Sequence, residues 1–402
     1  MTFRPFAILA FALTGLGLLT NPAVAKKYGP GVSDHEIKIG QTMPYSGPAS
    51  AYGVIGKAEA AYFKMINDEG GVNGRTINLI SLDDGYSPPK TVEQTRKLVE
   101  QDRVLFVYGG LGTPTNTAVH RYFNAKHVPQ LFVATGASKW GQPKKFPWTM
   151  GWQPNYHTEG RIYGEYIRQH IPDAKIGILY QNDDYGKDYV NGLKEGLGDM
   201  AKRMIVAEVT YEVTDPTVDS QIISLKGSGA NVFFNVTTPK FAAQAIRKAY
   251  DIDWHPTQFL NNVSASIGSV LKPAGLDKAK GVITANYLKD PTDKRWKDDK
   301  GYQKWEAWRE KYMPKSDPSD INIVYGYSSA QTLIHVLKAA GDDLTRANIM
   351  KQAAGLHDLH LDMLLPGVTV DTGPDDYYPI EKEQLYQFDG ENWVPLGKME
   401  TD

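Results

Sequence analysis

The stretch Val107–Val119, VYGGLGTPTNTAV, has the composition of a strand that runs into a glycine-rich turn and then into a helix. Such turns cradle phosphate when a lysine followed by Ser or Thr comes after the last glycine, because the lysine reaches the phosphates and the hydroxyl reaches Mg²⁺. Neither that lysine nor that spacing is present, and GGLGTP does not supply the G-x-G-x-x-G of a dinucleotide fingerprint. What remains is a helix N-terminus, whose unpaired N–H groups and partial positive charge suit one carboxylate. Thr113 and Thr115 are either hydroxyl donors to that carboxylate or helix caps.

Two neighbouring junctions carry related chemistry. MPYSGPASAYG places Tyr45, Ser46 and Tyr52 beside Gly47 and Pro48, and VATGASKWG holds Thr135, Gly136, Ser138 and Trp140. Small polar residues and aromatics at one sheet edge suit a small organic molecule with one polar end and an apolar or aromatic body. Catalytic signatures are weaker. The nine histidines are scattered, and neither H-E-x-x-H nor G-x-S-x-G occurs. His357 and His360 in LHDLHLD, three apart in an expected loop or short helix, are the best metal candidates, set against an ordinary surface loop, and no metal or cofactor is assigned to them. With no cysteine in the chain, thiol chemistry, cysteine metal sites and disulfides are excluded.

The elements that must position these residues follow from the hydrophobic pattern. EIKIGQTMP reads as a strand, AYGVIGKAEAAYFKMINDEGG as a helix stopped by Gly70–Gly71, TINLISLDD as a strand, and SPPKTVEQTRKLVEQ as a helix with Ser87 as N-cap and Pro88 at its first position. VLFVYGG, TNTAVHRYFNAKH and PQLFVAT continue the alternation, which means repeated βαβ units and a parallel sheet. KWGQPKKFPWTMGWQPN, with three Pro and three Trp, breaks it. A second series then begins with KIGILYQN and runs through MIVAEVTY, NVFFNVT and TQFLNN. A crossing between two lobes is expected near Gly151. The last part is helical over GYQKWEAWREKYM and NIVYGYSSAQTLIHVLKAAG and ends in strand-like pieces, with Asp389–Gly390 suiting a hairpin turn.

Length and charge agree with a two-lobed exported protein. Arg4, the apolar run PFAILAFALTGLGLLT and the small residues of NPAVA form a secretory signal, with cleavage expected after Ala25; a spanning helix needs about 20 apolar residues. Taking 25 from 402 leaves 377 residues, more than one compact core usually holds. That segment carries one of the 44 basic residues and no acid, so the net charge moves from −2 to −3, and nothing suggests nucleic acid or an anionic membrane surface as a partner.

IKIGQTMPYSGPASAYG, INDEGGVNGRTINLISLDDGYSPPKTVEQTRKLVEQDRV and YQNDDYGKD, in this order and within the two-lobe pattern, resemble the leucine/isoleucine/valine-binding protein family of periplasmic solute receptors. The resemblance covers nearly the whole mature chain. It implies an α/β fold of type I: two doubly wound parallel-sheet lobes joined by three crossings, the first from 27–150 plus 282–380 and the second from 151–281 plus 381–402. It implies a monomer in the periplasm that binds a small molecule without turnover and docks to the membrane permease subunits of an ABC importer. It also implies a site. Gly112 and Thr113, then Gly136 and Ser138, would hold a carboxylate, Tyr52 would cover the apolar part of the ligand, and Tyr185, Thr237 and Asn262 would contribute from the second lobe.

Three departures bear on the ligand. Gly112 stands where relatives carry a serine side chain. Asn261 and Asn262 stand where amino-acid receptors of the family place an acid for the α-ammonium, so Asp183 or Asp184 would have to substitute. Tyr86 and Leu111 stand near the positions that some relatives join by a disulfide. An ammonium buried without a carboxylate is costly. Eight aromatics (Tyr45, Tyr52, Tyr108, Trp140, Trp152, Tyr156, Tyr185 and Tyr287) lie at or near the junctions, and three or four are expected to touch ligand. The alternatives are therefore an amino acid, an aromatic or other non-amino organic acid, or a sensory receptor of the same fold.

Overall fold

The computed structural model describes residues 1–2 and 26–401. Residues 3–25, on which the expected export signal and its cleavage after Ala25 fall, lie outside the described residues.

The first sheet has five parallel strands, β1 (Glu36–Met43), β2 (Thr76–Asp83), β3 (Val107–Tyr108), β4 (Gln130–Val133) and β5 (Thr149–Gly151), in the order β2-β1-β3-β4-β5. The second holds β6 (Ile176–Gln181), β7 (Ile205–Tyr211), β8 (Val232–Val236), β9 (Thr257–Leu260) and β10 (Ile283–Asn286) in the equivalent parallel order β7-β6-β8-β9-β10. It is extended by an antiparallel hairpin, β11 (Lys382–Phe388) and β12 (Trp393–Thr401). Alternation of side chains along each strand feeds two cores, one on each face. In β8, Val232, Phe234 and Val236 join one apolar cluster while Phe233 joins the other, and all five residues of this central strand are buried. The edge strand β7 instead alternates between partly buried and exposed residues until Tyr211.

The strand β10 corrects one expected boundary. The chain was expected to return to the first lobe at 282, but Ile283 pairs with Phe259 of β9, and Ile283–Asn286 pair with Gln384–Gln387 of β11. The chain thus stays in the second sheet through Asn286. The four residues ITAN can form a strand, but nothing in them names the sheet that receives it.

Seven helices matter for the site. They are α1 (Gly53–Asp68), α2 (Pro88–Arg96), α3 (Thr113–Lys126), α4 (Tyr156–His170), α5 (Asp184–Leu197), α6 (Pro239–Asp251) and α7 (Ile321–Ala340). Each of α1, α3, α5 and α6 starts shortly after the carboxyl end of a strand. In both sheets the strand order reverses beside the first strand, and in open α/β sheets ligands lie at such switch points. The helix α7, capped by Asp320 and buried over most of its length, packs its Gly326 against Ile55 of α1, so its N-terminus reaches the same edge.

Candidate functional site

The loops at the carboxyl ends of the two sheets enclose a cavity of about 60 Å³. A water needs roughly 10–15 Å³ measured in this way, so the space corresponds to about four to six waters, the size of one small organic molecule. The first lobe contributes Tyr52, Ile55, Tyr86, Leu111, Gly112, Thr113 and Ala134, and the second contributes Tyr156, Tyr185, Thr238, Asn262 and Val263. Gln153 and Asn286–Leu288 lie on segments that leave one sheet for the other, and Ile321, Asn322 and Tyr325 belong to the first turns of α7. None of these nineteen residues is Asp, Glu, Lys, Arg or His.

Of the expected site residues, Tyr52, Gly112, Thr113, Tyr185 and Asn262 line this cavity. Gly112 has φ +96°, and a Cβ there would lie 2.3 Å from Cε2 of Tyr86. The space that a serine side chain would need is filled by that ring. Tyr86 itself has φ +60°, a left-handed conformation uncommon for a bulky residue, and its N–H donates to Oδ1 of Asp84 at 2.9 Å. The hydroxyls of Thr113 and Thr135 share a hydrogen bond of 2.5 Å. The hydroxyl of Tyr52 donates to the carbonyl of Val263 at 3.0 Å, joining the two lobes over the cavity.

Gly136, Ser138 and Thr237 do not line the cavity, which corrects the expectation for each. Gly136 is covered by the ring of Tyr156, whose N–H donates to its carbonyl at 2.8 Å. Ala134 of the same turn reaches the cavity instead. Ser138 lies outside it and joins the lobes: its N–H and its hydroxyl donate to the two carboxylate oxygens of Asp188 at 2.8 and 3.0 Å. The hydroxyl of Thr237 donates to Oδ1 of Asn235 at 2.7 Å, and the next residue, Thr238, faces the cavity. Thr115 is neither a cap nor a lining residue: the N-cap is Gly112, and the Thr115 hydroxyl donates back to the carbonyls of Leu111 and Gly112.

The two asparagines separate in role. Asn261 is fully buried, and turning its amide so that the oxygen accepts from the Tyr185 hydroxyl lets its nitrogen donate to the carbonyls of Asn235 and Thr237. Asn262 lines the cavity while its N–H donates to Oε1 of Glu159 at 2.8 Å and its amide nitrogen donates to Glu383 at 3.2 Å.

Neither nearby aspartate lines the cavity. Asp183 caps α5 through the N–H groups of Tyr185 and Gly186, and burial raises its carboxyl to about 6. Asp184 pairs with Lys139 on the outside. Glu159, behind Asn262, already accepts from Tyr163, Tyr189 and the Asn262 N–H, and burial raises it to about 7.

Of the eight candidate aromatics, Tyr52, Tyr156, Tyr185 and Tyr287 line the cavity. The hydroxyls of Tyr45 and Tyr108 bond to Ser81 and Ser329, Trp140 packs on His120, and Trp152 donates to Thr332. Tyr86 and Tyr325 complete six tyrosines. Tyr86 was detectable, since its loop follows a strand at the same sheet edge. Tyr325 was not, because only the packing of α7 brings it there. Burial raises the hydroxyls of Tyr52, Tyr86, Tyr185, Tyr287 and Tyr325 well above the ordinary phenol range, so each is a neutral hydrogen-bonding group. No group of three or more His, Asp or Glu residues able to hold a metal occurs among the described residues. His360 is exposed and lies 3.3 Å from Asp358.

Residues 36–391 match the family model described as periplasmic binding protein. The Leu/Ile/Val-binding protein homolog 1 of Brucella abortus is 26% identical over 313 residues, 77% of this chain and 80% of that protein. A branched chain amino acid ABC transporter from Thermus thermophilus with bound valine superposes with a TM-score of 0.82 at 16% identity, covering 92% of this chain and 98% of that one. A fatty acid ABC transporter substrate-binding protein from Thermomonospora curvata does so with a TM-score of 0.76 at 22% identity, covering 94% and 95%. These two share one fold and bear different ligand names, so the fold leaves the ligand to the lining residues.

Proposed function

The chain belongs to the periplasmic binding protein family, and from that premise we propose that it is the extracytoplasmic receptor of an ABC importer. It closes its lobes on one small organic carboxylate and presents the closed form to membrane permease subunits, as a monomer and without turnover or cofactor. The observation that carries this reading is the cavity itself. It lies at the strand-order switch points of two sheets, with residues of both lobes around it and the start of α3 at one wall. The site we propose is Tyr52, Gly112, Thr113, Tyr185 and Asn262, widened by Tyr86, Tyr156, Tyr287 and Tyr325. The lobes consist of 27–150 plus 287–380, and 151–286 plus 381–402. The names of relatives favour a branched-chain amino acid, whereas the lining favours an organic acid without an amino group. Calorimetric titration of the purified protein with amino acids and organic acids, paired with small-angle scattering, tests the proposal. One class should bind at a single site and shrink the radius of gyration. Saturable binding of a carboxylate with no change in shape would overturn the closure mechanism.

A further inference from the structure

Resting on the receptor reading, we infer that the cavity selects an aromatic monocarboxylate that has no α-ammonium group. An ammonium in this cavity would be desolvated among phenols, amides and aliphatic side chains, with no carboxylate among the lining residues. The surrounding carboxylates are committed elsewhere: Asp183 to the start of α5, Glu159 to two tyrosines and a backbone N–H, Asp184 to Lys139, Glu383 to the Asn262 amide, and Asp320 to Ser266 and Asn322.

What the lining offers suits the opposite end of a ligand. The Tyr325 hydroxyl is buried without a hydrogen-bond partner among the described residues, and its ring is held edge-on by Trp152 at 4.9 Å. The carbonyl of the Asn286 side chain accepts from the N–H groups of Tyr287 and Leu288, which leaves its amide N–H₂ for a ligand. These donors and the start of α3 suit a carboxylate, which accepts several hydrogen bonds at once. Six tyrosine rings with Ile55, Leu111 and Leu288 make up most of the remaining wall, and aromatic rings prefer edge-on and offset contacts with one another. Tyr86 reaches this wall because residue 112 has no side chain.

Matched pairs that differ by one amino group isolate the ammonium. Calorimetric titration of the purified protein with 3-phenylpropionate and L-phenylalanine, and with 4-methylpentanoate and L-leucine, is expected to show 3-phenylpropionate as the tightest. Each amino acid should bind at least about 100-fold more weakly than its deaminated partner. An amino acid that binds as tightly as its partner would overturn the exclusion of ammonium. Tighter binding of 4-methylpentanoate than of 3-phenylpropionate would overturn the aromatic class. Glycine betaine as the best ligand would show instead that the tyrosines form a cage for a cation. If none of these probes binds while another solute still drives lobe closure, the ligand class fails and the receptor reading stands. Replacing Tyr325→Phe removes a hydroxyl without a protein partner, so folding is expected to persist, while affinity for 3-phenylpropionate falls about tenfold or more. A folded Tyr325→Phe protein with unchanged affinity would remove that hydroxyl from the site.

Discussion

Glu59 is buried in the first lobe, on the face of α1 that meets α7. One carboxylate oxygen accepts from Ser329 at 2.9 Å and the other lies 2.5 Å from the amide nitrogen of Gln41, while the Tyr108 hydroxyl shares the Ser329 hydroxyl at 2.6 Å. No cation pairs with it among the described residues, and burial pushes its carboxyl up to about 8 from the ordinary 4.5. The folded state therefore holds a proton that the unfolded chain releases above about pH 4.5. Below that pH both states are protonated and the group has no effect. As pH rises from 4.5 towards 8, the folded state loses stability, at about 1.4 kcal/mol per unit of separation between the two values. The loss amounts to roughly 1 kcal/mol at pH 5 and about 4 kcal/mol at pH 8, against a total of about 5–15 kcal/mol for a typical domain. Glu59→Gln keeps an oxygen for Ser329 and, once the Gln41 amide turns, an N–H₂ facing its oxygen, so the packing is retained and the titration disappears. Urea denaturation followed by circular dichroism at pH 5 and pH 8 checks this. Between those two pH values wild type should lose about 3 kcal/mol more stability than Glu59→Gln. Other buried acids contribute equally to both proteins and cancel in that difference. Identical pH dependence of the two would refute the assignment of a buried, protonated Glu59.

Gly112→Ala should cost about 1–3 kcal/mol of stability and weaken ligand binding, since its φ is +96° and the new Cβ would meet the Tyr86 ring; thermal denaturation and titration report both. Ser138→Ala should weaken all ligands by the same modest factor, about threefold to tenfold, because its bonds to Asp188 join the lobes and touch no cavity atom. A loss confined to carboxylates would return Ser138 to the site. Lys139→Ala is expected to change affinity by less than about fivefold and only at low salt, since its pair with Asp184 is partly exposed.

The alternation of apolar strands with helical patterns is a local property, and it made the two doubly wound sheets legible in the sequence alone. The strand that follows Gly281 shows the limit. VITAN could serve either lobe, and only its pairing with Phe259 and its ladder to Gln384–Gln387, about a hundred residues away, assign it to the second sheet. Cavity-lining residues on strand-to-helix turns were legible for the same reason that the fold was, because chain position and sheet edge coincide there. Tyr52, Gly112, Thr113, Tyr185 and Asn262 all belong to such turns. Asn286 and Tyr325 do not: one follows from strand pairing and the other from helix packing, and no spacing in the sequence announces either.

The misplaced residues carry a more specific lesson about which side chain of a turn reaches a ligand. Gly136 and Thr237 lie within two residues of a residue that lines the cavity, and Ser138 lies four from Ala134, so the turns were identified and the facing residue was not. Local hydrogen bonds decide that facing. Thr237 is drawn back by Asn235, Ser138 is drawn across to Asp188, and Thr115 is turned onto its own helix start. A hydroxyl or amide that finds a protein partner is held there, because leaving that partner unpaired in a buried place costs about 1–3 kcal/mol. The groups left to a ligand are those the protein has not satisfied, and the Tyr325 hydroxyl and the Asn286 amide nitrogen are the ones we assign to it in the proposed site. Recognition at this cavity is therefore a residue of folding: the fold spends most of its polar groups on itself, and the few it leaves define what can bind.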